Sequence, residues 1–482
     1  MSQIRVLSKL MACVALLLAL AVTALPKVTN AASVAITNGP VWYDTTGGTI
    51  QAHGGSIIKV GSTYYWIGED KLNNSANFSH VVCYSSTDLK NWAWVSYPLK
   101  TTSASELASS KIERPKVIYN SSTGKYVMWM HYENGSDYSL GRVAVASSSS
   151  VCGDYTYHGS FRPMNYESRD LTVFKDDDGT AYLVSASNKN GGANDSMAIF
   201  QLSSDYLSVA SFKTWYADNG YREAPAVVKQ GGKYFLITSQ ASGWYPNQGG
   251  YSTATSMAGP WTAVQPLGNP STFASQSTFI LPIQGTSTTS YLYMADRWNS
   301  SALGDSRYIW LPLTLNGSSG TASLEWYSSW NLDAAAGSVT YPSTLTNLSQ
   351  GKTATASSSA SGYAPGSAND GNYQTSWKAS AVTWPSWWQV DLGSSKNVRE
   401  IDISWYMVKG SEGYHQYKIE YSTNGTSYTT IDRTSNKTYG FTTDSLNITA
   451  RYIRIQLVNA VLWNNPSNWY TPTLWEVKVL GS

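Results

Sequence analysis

Four polar side chains recur at matched places along the chain. Glu113, Asp170, Glu223 and Gln276 each stand just before a run of apolar and β-branched residues, at separations of 57, 53 and 53 residues. Their segments read ERPKVIYNSSTGKYVMW, DLTVFKDDDGTAYLVS, EAPAVVKQGGKYFLITS and QSTFILPIQGTSTTSYLYM. Carboxyl groups brought together cannot all ionise freely: one is pushed up and keeps its proton near neutrality, which makes it a proton donor. An amide in the same place can orient a water molecule but is a poor base. The Asp176–Asp178 run sits at a turn tip and reads as a solvated loop end.

These residues need elements that bring them together. Each segment is an apolar strand, a Gly-containing turn and a second strand, the pattern of a hairpin. The turn glycines Gly124, Gly179, Gly232 and Gly285 lie 55, 53 and 53 residues apart, and HGGSIIKVGSTYYWIG from His53 supplies a fifth unit. Outer strands such as HVVCYSSTDLKNW and GRVAVASSSS follow, and no segment keeps a helical period. Five units of this length predict an all-β fold, a five-bladed β-propeller. Equivalent positions in a radial repeat converge on its axis, so the acids and the amide are expected around one funnel. The first unit breaks the pattern: His53-Gly54-Gly55 stands there with no carboxylate, and a His beside two glycines reads as structural.

Composition narrows the chemistry. Of 482 residues only 13% are charged, against about 25% in ordinary domains, and 33 basic side chains balance 31 acidic ones. A net charge of +2 creates no field to attract nucleic acid or an anionic membrane. The 20 Trp, 34 Tyr and 9 Phe suit pleated surfaces, and their flat faces suit sugar rings. Residues 1–31 carry Arg5 and Lys9 ahead of an apolar run from Leu10 to Ala24, then Ala31 and Ala32. That is the layout of a secretory signal peptide, so the protein is expected to be extracellular. Cys83 and Cys152 then remain, either as one disulfide or as two separate buried thiols.

After Trp330 the repeat stops. The expected division is 1–31 as signal peptide, 38–340 as propeller and 346–482 as a β-sandwich, whose alternating runs are bounded by Gly, Asn and Asp. Within the sandwich Trp377, Trp388 and Trp475 are expected in the core. Tyr414, His415, Trp463, Asn464 and Trp469 are expected on loops that could form a shallow sugar site. Trp244, in a GWYP loop after the fourth unit, is either a sugar platform or a packing residue.

Over roughly residues 38–340 the chain resembles glycoside hydrolase family 43. DLTVFKDDDGTAYLV matches that family's third-blade motif, which implies that Asp170 modulates the pKa of the acid. REAPAVVKQGGKYFLI matches the fourth-blade motif, which implies that Glu223 is the general acid. The missing first-blade base, with QAHGGSII, YYWIGEDK, IERPKVIYN and ASQST, resembles the exo-β-1,3-galactanase branch. There a fifth-blade Gln holds the attacking water, the place of Gln276 here. The same resemblance implies that Glu69, Glu113 and Tyr138 bind the terminal galactose.

The C-terminal run NLSQGKTATASSS, ANDGNYQTSW, WWQVDLGSS, YKIEYSTNGTSY, RYIRIQLV and LWEVKVLG resembles the discoidin-type jelly roll, including carbohydrate-binding module family 32. It implies a sugar ligand, with Asp370 and Glu476 as candidate ligands of a structural Ca²⁺. The resemblance therefore implies a secreted, monomeric, inverting exo-glycosidase. It would need no cofactor for catalysis and would release galactose from the non-reducing end of the β-1,3-galactan backbone of arabinogalactan. An arabinan- or xylan-acting relative and a non-catalytic propeller lectin are the alternatives.

Overall fold

Strands with inward-facing apolar residues begin each unit of the N-terminal domain. In the computed structural model, which describes residues 33–341, 345–407, 413–462 and 470–482, they are His53–Val60, Ser110–Asn120, Leu171–Lys175, Arg222–Gln230 and Gln276–Gln284. Each is the first strand of a four-stranded antiparallel sheet. They pack against one another in cyclic order, and the fifth returns to the first. Turn residues Gly124 and Gly232 adopt φ of 67° and 78°, the left-handed region that glycine enters without penalty.

A sixth sheet corrects the expected count of five. Val34–Thr37 pairs antiparallel with Ser329–Asp333, which in turn pairs with Ser338–Thr340. The propeller thus has six sheets, the sixth with three strands. Its Ile36, Trp330 and Leu332 share a core with Ile57, Trp66, Leu292 and Trp310 of the first and fifth units. The sequence repeat misses it because its partners come from opposite ends of the domain, as in the pair Val34 and Leu332. Of the two readings for the cysteines, the disulfide is found: Cys83 is bonded to Cys152, joining the first two units.

The C-terminal domain is one eight-stranded antiparallel sheet around a single core. Trp377 and Trp388 are fully buried as expected, but Trp475 is half-buried beside Tyr406 and Trp405 takes its place inside. Tyr414 and His415 lie on the strand Gly413–Ser422 rather than a loop, so they face opposite ways. His415 is 1% exposed and stacks on Trp405 at 4.6 Å, which removes it from any sugar site. Trp463, Asn464 and Trp469 lie outside the described residues, as do residues 1–31. Among the described residues no helix is long and apolar enough to cross a membrane.

The two domains share packing. Phe441 of the C-terminal domain sits in a core with Phe273 and Trp326, and the Asn269 side-chain amide donates to Ser404 Oγ at 2.9 Å.

Candidate active site

The polar leaders meet at one mouth of the ring because a backbone device repeats there. In the first, second and fourth units the strand register shifts just after His53, Glu113 and Glu223. The next residue, Gly54, Arg114 or Ala224, has φ of 59°, 52° or 53°. Such bulges re-aim side chains beside binding sites, and a left-handed Arg or Ala stores strain that surrounding structure must hold. The fifth unit shifts similarly between Ser277 and Phe279, after Gln276.

Glu69, Glu113, Tyr138, Asp170, Glu223, Trp244 and Gln276, all expected from the sequence, line one cavity of about 410 Å³. Sequence reasoning missed other wall residues, among them Arg114 as a site residue, His131, Arg169, Asn194 and Trp298. His53 lies outside. It is fully buried, with Nδ1 3.0 Å from Asp296 and its ring stacked on Tyr308.

In the first unit His53 holds the leading position, and the two glycines that follow it leave room for a carboxylate from the neighbouring strand. A Cβ built on Gly54 would lie 2.3 Å from Glu69 Oε1, and one on Gly55 would lie 2.3 Å from the Ile67 carbonyl oxygen. Glu69, opposite His53 on the neighbouring strand, reaches into that space instead. Its Oε1 accepts the Arg114 backbone N–H at 2.7 Å, and Oε2 pairs with buried Lys71 at 2.7 Å.

Arg114 is the hub. Its guanidinium Nε lies 2.7 Å from Asp170 Oδ2, and its Nη2 donates to Gln276 Oε1 at 2.6 Å. The Trp298 indole N–H donates to the same Oε1 at 2.9 Å, so both lone pairs of the amide oxygen are used. Gln276 Nε2 donates to Glu223 Oε1 at 2.9 Å and to Ser239 Oγ at 3.1 Å. Inverting hydrolysis needs a gap of roughly 6.5–9.5 Å between the two groups to admit water. Instead they touch, because an amide bridges a cation and a carboxyl naturally. With two donors on Oε1 there is no room there for the hydrogen of an imidic tautomer.

Burial pushes the Glu223 carboxyl up to about 8, and the Asp170 charge adds to this while Arg114 and the Gln276 bond oppose it. Burial outweighs Asp170, the cause that the sequence alone brings to the fore. Glu113 behaves oppositely. Burial works to raise it, yet His131, Lys71 and the Tyr138 hydroxyl hold it at about 2. Tyr138 donates to Glu113 Oε1 at 2.6 Å, and His131 Nδ1 lies 3.2 Å from Oε2. Burial disfavours the charged form of His131, but Glu113 and Glu133 lift it to about 9. Two neighbouring carboxyls are thus held in opposite protonation states, the arrangement needed to donate a proton beside a fixed anion.

Glu113, His131 and Asp170 offer ligand atoms within 4.8 Å of one another. A protonated His131 and the Arg114 guanidinium already neutralise these carboxylates, so the chemistry disfavours a metal there. In the C-terminal domain Glu476 accepts the Gly371 N–H at 3.2 Å, while its buried Oε2 has no hydrogen-bond partner. Burial, partly offset by Lys478 and aided by Asp370, pushes it up to about 7. A carboxyl pair of this kind fits the oxygen preference of Ca²⁺.

Residues 49–279 match the family model for glycosyl hydrolases family 43, and residues 353–473 match that for the F5/8 type C domain. Comparison with curated proteins found no match. Among solved structures, an exo-β-1,3-galactanase from Phanerochaete chrysosporium, crystallised with galactose, is 33% identical; the match covers 93% of this chain and all of that one, with a TM-score of 0.65. An exo-β-1,3-galactanase from Clostridium thermocellum is 34% identical over 88% of this chain and all of its own, with a TM-score of 0.63. A putative exo-β-1,3-galactanase from Bifidobacterium bifidum is 31% identical over 60% of this chain and 96% of its own, with a TM-score of 0.55. A third of the residues shared across whole relatives, around a protonated carboxyl at the mouth of a propeller, places this chain in glycosyl hydrolase family 43.

Proposed function

We propose that the protein is an exo-acting β-1,3-galactanase that releases galactose from the non-reducing end of β-1,3-galactan with inversion. The observation that carries this reading is Glu223, kept protonated near neutrality by burial and Asp170 at the foot of a pocket sized for a small sugar unit. The similarity to exo-β-1,3-galactanases supplies the substrate.

In this reading Glu223 protonates the departing glycosidic oxygen, and Asp170 keeps the acid's pKa high. Substrate separates Gln276 from Glu223, and the released amide nitrogen orients the attacking water while Arg114 and Trp298 hold the amide oxygen; the proton that water loses passes to solvent as Glu223 regains its own. Glu69, Glu113 and Tyr138 grip the hydroxyls of the terminal ring, and Trp244 gives it an apolar face. Charge-assisted hydrogen bonds that ionised Glu113 accepts from sugar hydroxyls suit that task. The Cys83–Cys152 disulfide supports export to an oxidising compartment. The C-terminal domain would bind the same polysaccharide and hold Ca²⁺ through Asp370 and Glu476, and the protein would act as a monomer without a catalytic cofactor.

The test is incubation with β-1,3-galactan, arabinan and xylan, followed by identification of the sugars released. Galactose from galactan alone is expected. Arabinose or xylose would point to a different substrate, and binding without turnover would make the protein a lectin.

A further inference from the structure

A second cavity, of about 370 Å³, adjoins the first, and Trp244, Gln276 and Trp298 line both. The two spaces therefore share a wall at the Trp244–Trp298 pair, whose rings meet edge-on at 5.0 Å. The second cavity differs in its construction. One wall, with Tyr245 and Arg307, belongs to the propeller; the other, with Tyr414, Lys437 and Tyr439, belongs to the C-terminal domain.

The seam is built. Tyr439 meets Tyr245 across it at 5.3 Å and Tyr414 on its own side at 5.7 Å. A backbone bridge joins Tyr414 to Tyr439, and Asn436 donates to the His415 carbonyl oxygen at 2.8 Å, fixing the segment that carries Lys437. Aromatic faces beside cationic donors are the groups that hold sugar rings and their hydroxyls, and the volume falls in the range of small-ligand sites, about 300–1,000 Å³.

An enzyme that grips a terminal ring must give the rest of the polymer a way out. We infer that the departing galactan chain lies in this interdomain groove, so that the C-terminal domain forms one wall of the substrate cleft rather than only a separate sugar-binding site. The inference rests on the galactanase reading. It makes Tyr414 and Lys437 determinants of chain-length preference: they touch sugars beyond the bond that is cut.

The test uses the full chain with Lys437→Ala and, separately, Tyr414→Ala. Lys437 is exposed, so its removal leaves folding intact. For each, kcat/KM is measured on β-1,3-galactobiose and β-1,3-galactotetraose. The expected result is a fall of about tenfold in the tetraose-to-biose ratio, as for removal of a single sugar-binding group, carried by KM. A ratio unchanged in both variants, as expected of a groove that holds only water, would overturn the inference. So would equal losses on both substrates, the mark of general damage to the pocket. If the unaltered protein cleaves neither oligosaccharide, it is the galactanase reading that fails.

Discussion

The Gln276 amide nitrogen donates to Glu223 Oε1 at 2.9 Å while Arg114 and Trp298 occupy the amide oxygen. The residue expected to hold water is thus hydrogen-bonded to the residue expected to donate the proton. The site is pre-organised by one cation, Arg114, which ties Asp170 and Gln276 into a single network.

Replacing Glu223 with Gln removes the proton and keeps the shape. Turnover should fall by about 10²–10⁴-fold, the usual worth of a positioned acid. Binding of galactose, followed by calorimetry, should persist. Full turnover would refute the acid assignment.

The pH profile carries a sign. Burial and Asp170 raise Glu223 to about 8, so kcat/KM should fall as pH rises through that value and the proton is lost. In Asp170→Asn the raising charge is gone, and the alkaline limb should move to lower pH. A limb that stays in place would dissociate Asp170 from the acid.

The same shift bears on stability. Because the folded pKa lies above the ordinary 4.5, the stability linked to neutral Glu223 is complete below 4.5 and is lost as pH rises through about 8. Glu223→Gln should therefore raise the melting temperature above that of the unaltered protein more at alkaline than at acidic pH. Equal differences at both would contradict the buried neutral carboxyl.

Gly440 fixes the domain seam. It has φ of 68°, and an added Cβ would lie 2.5 Å from both Ser271 Cβ and Met407 Sδ. Ser271 begins a buried stretch in which Thr272, Phe273 and Ala274 all have positive φ, directly ahead of Gln276. Gly440→Ala should cost roughly 1–3 kcal/mol through overpacking and strain, read by denaturant melts. It should also lower kcat/KM, because the strained stretch presents Gln276.

Reducing the Cys83–Cys152 bond frees a loop with a sequence separation of 69. Loop-closure entropy assigns such a link roughly 4 kcal/mol. A Cys83→Ser variant should melt several degrees lower, with the active site's pH profile unchanged.

Much of the site was legible because it is local. Glu113, Asp170, Glu223 and Gln276 lie at equivalent ends of similar hairpins, and the repeat alone brings them together. His131 was one step out of reach: register counted back across the Gly124 turn sets Glu113 opposite Tyr132, and the bulge after Glu113 moves it opposite His131. Arg114 escaped because it stands one residue off the repeated register, and a left-handed backbone turns it towards Asp170 and Gln276. The sixth sheet and the domain seam depend on pairings between distant segments, such as Ile36 with Trp330 and Asn269 with Ser404, which no local period announces. His415 failed for a different reason: a one-residue step along a strand exchanges the solvent face for the core.

The most direct measurement is proton NMR of the galactose first released from β-1,3-galactotriose, recorded before the anomers equilibrate. Attack by a water on the face opposite the Glu223-protonated bond predicts α-galactose as the initial product. β-Galactose appearing first would mean retention, and would contradict the roles given to Glu223 and Gln276.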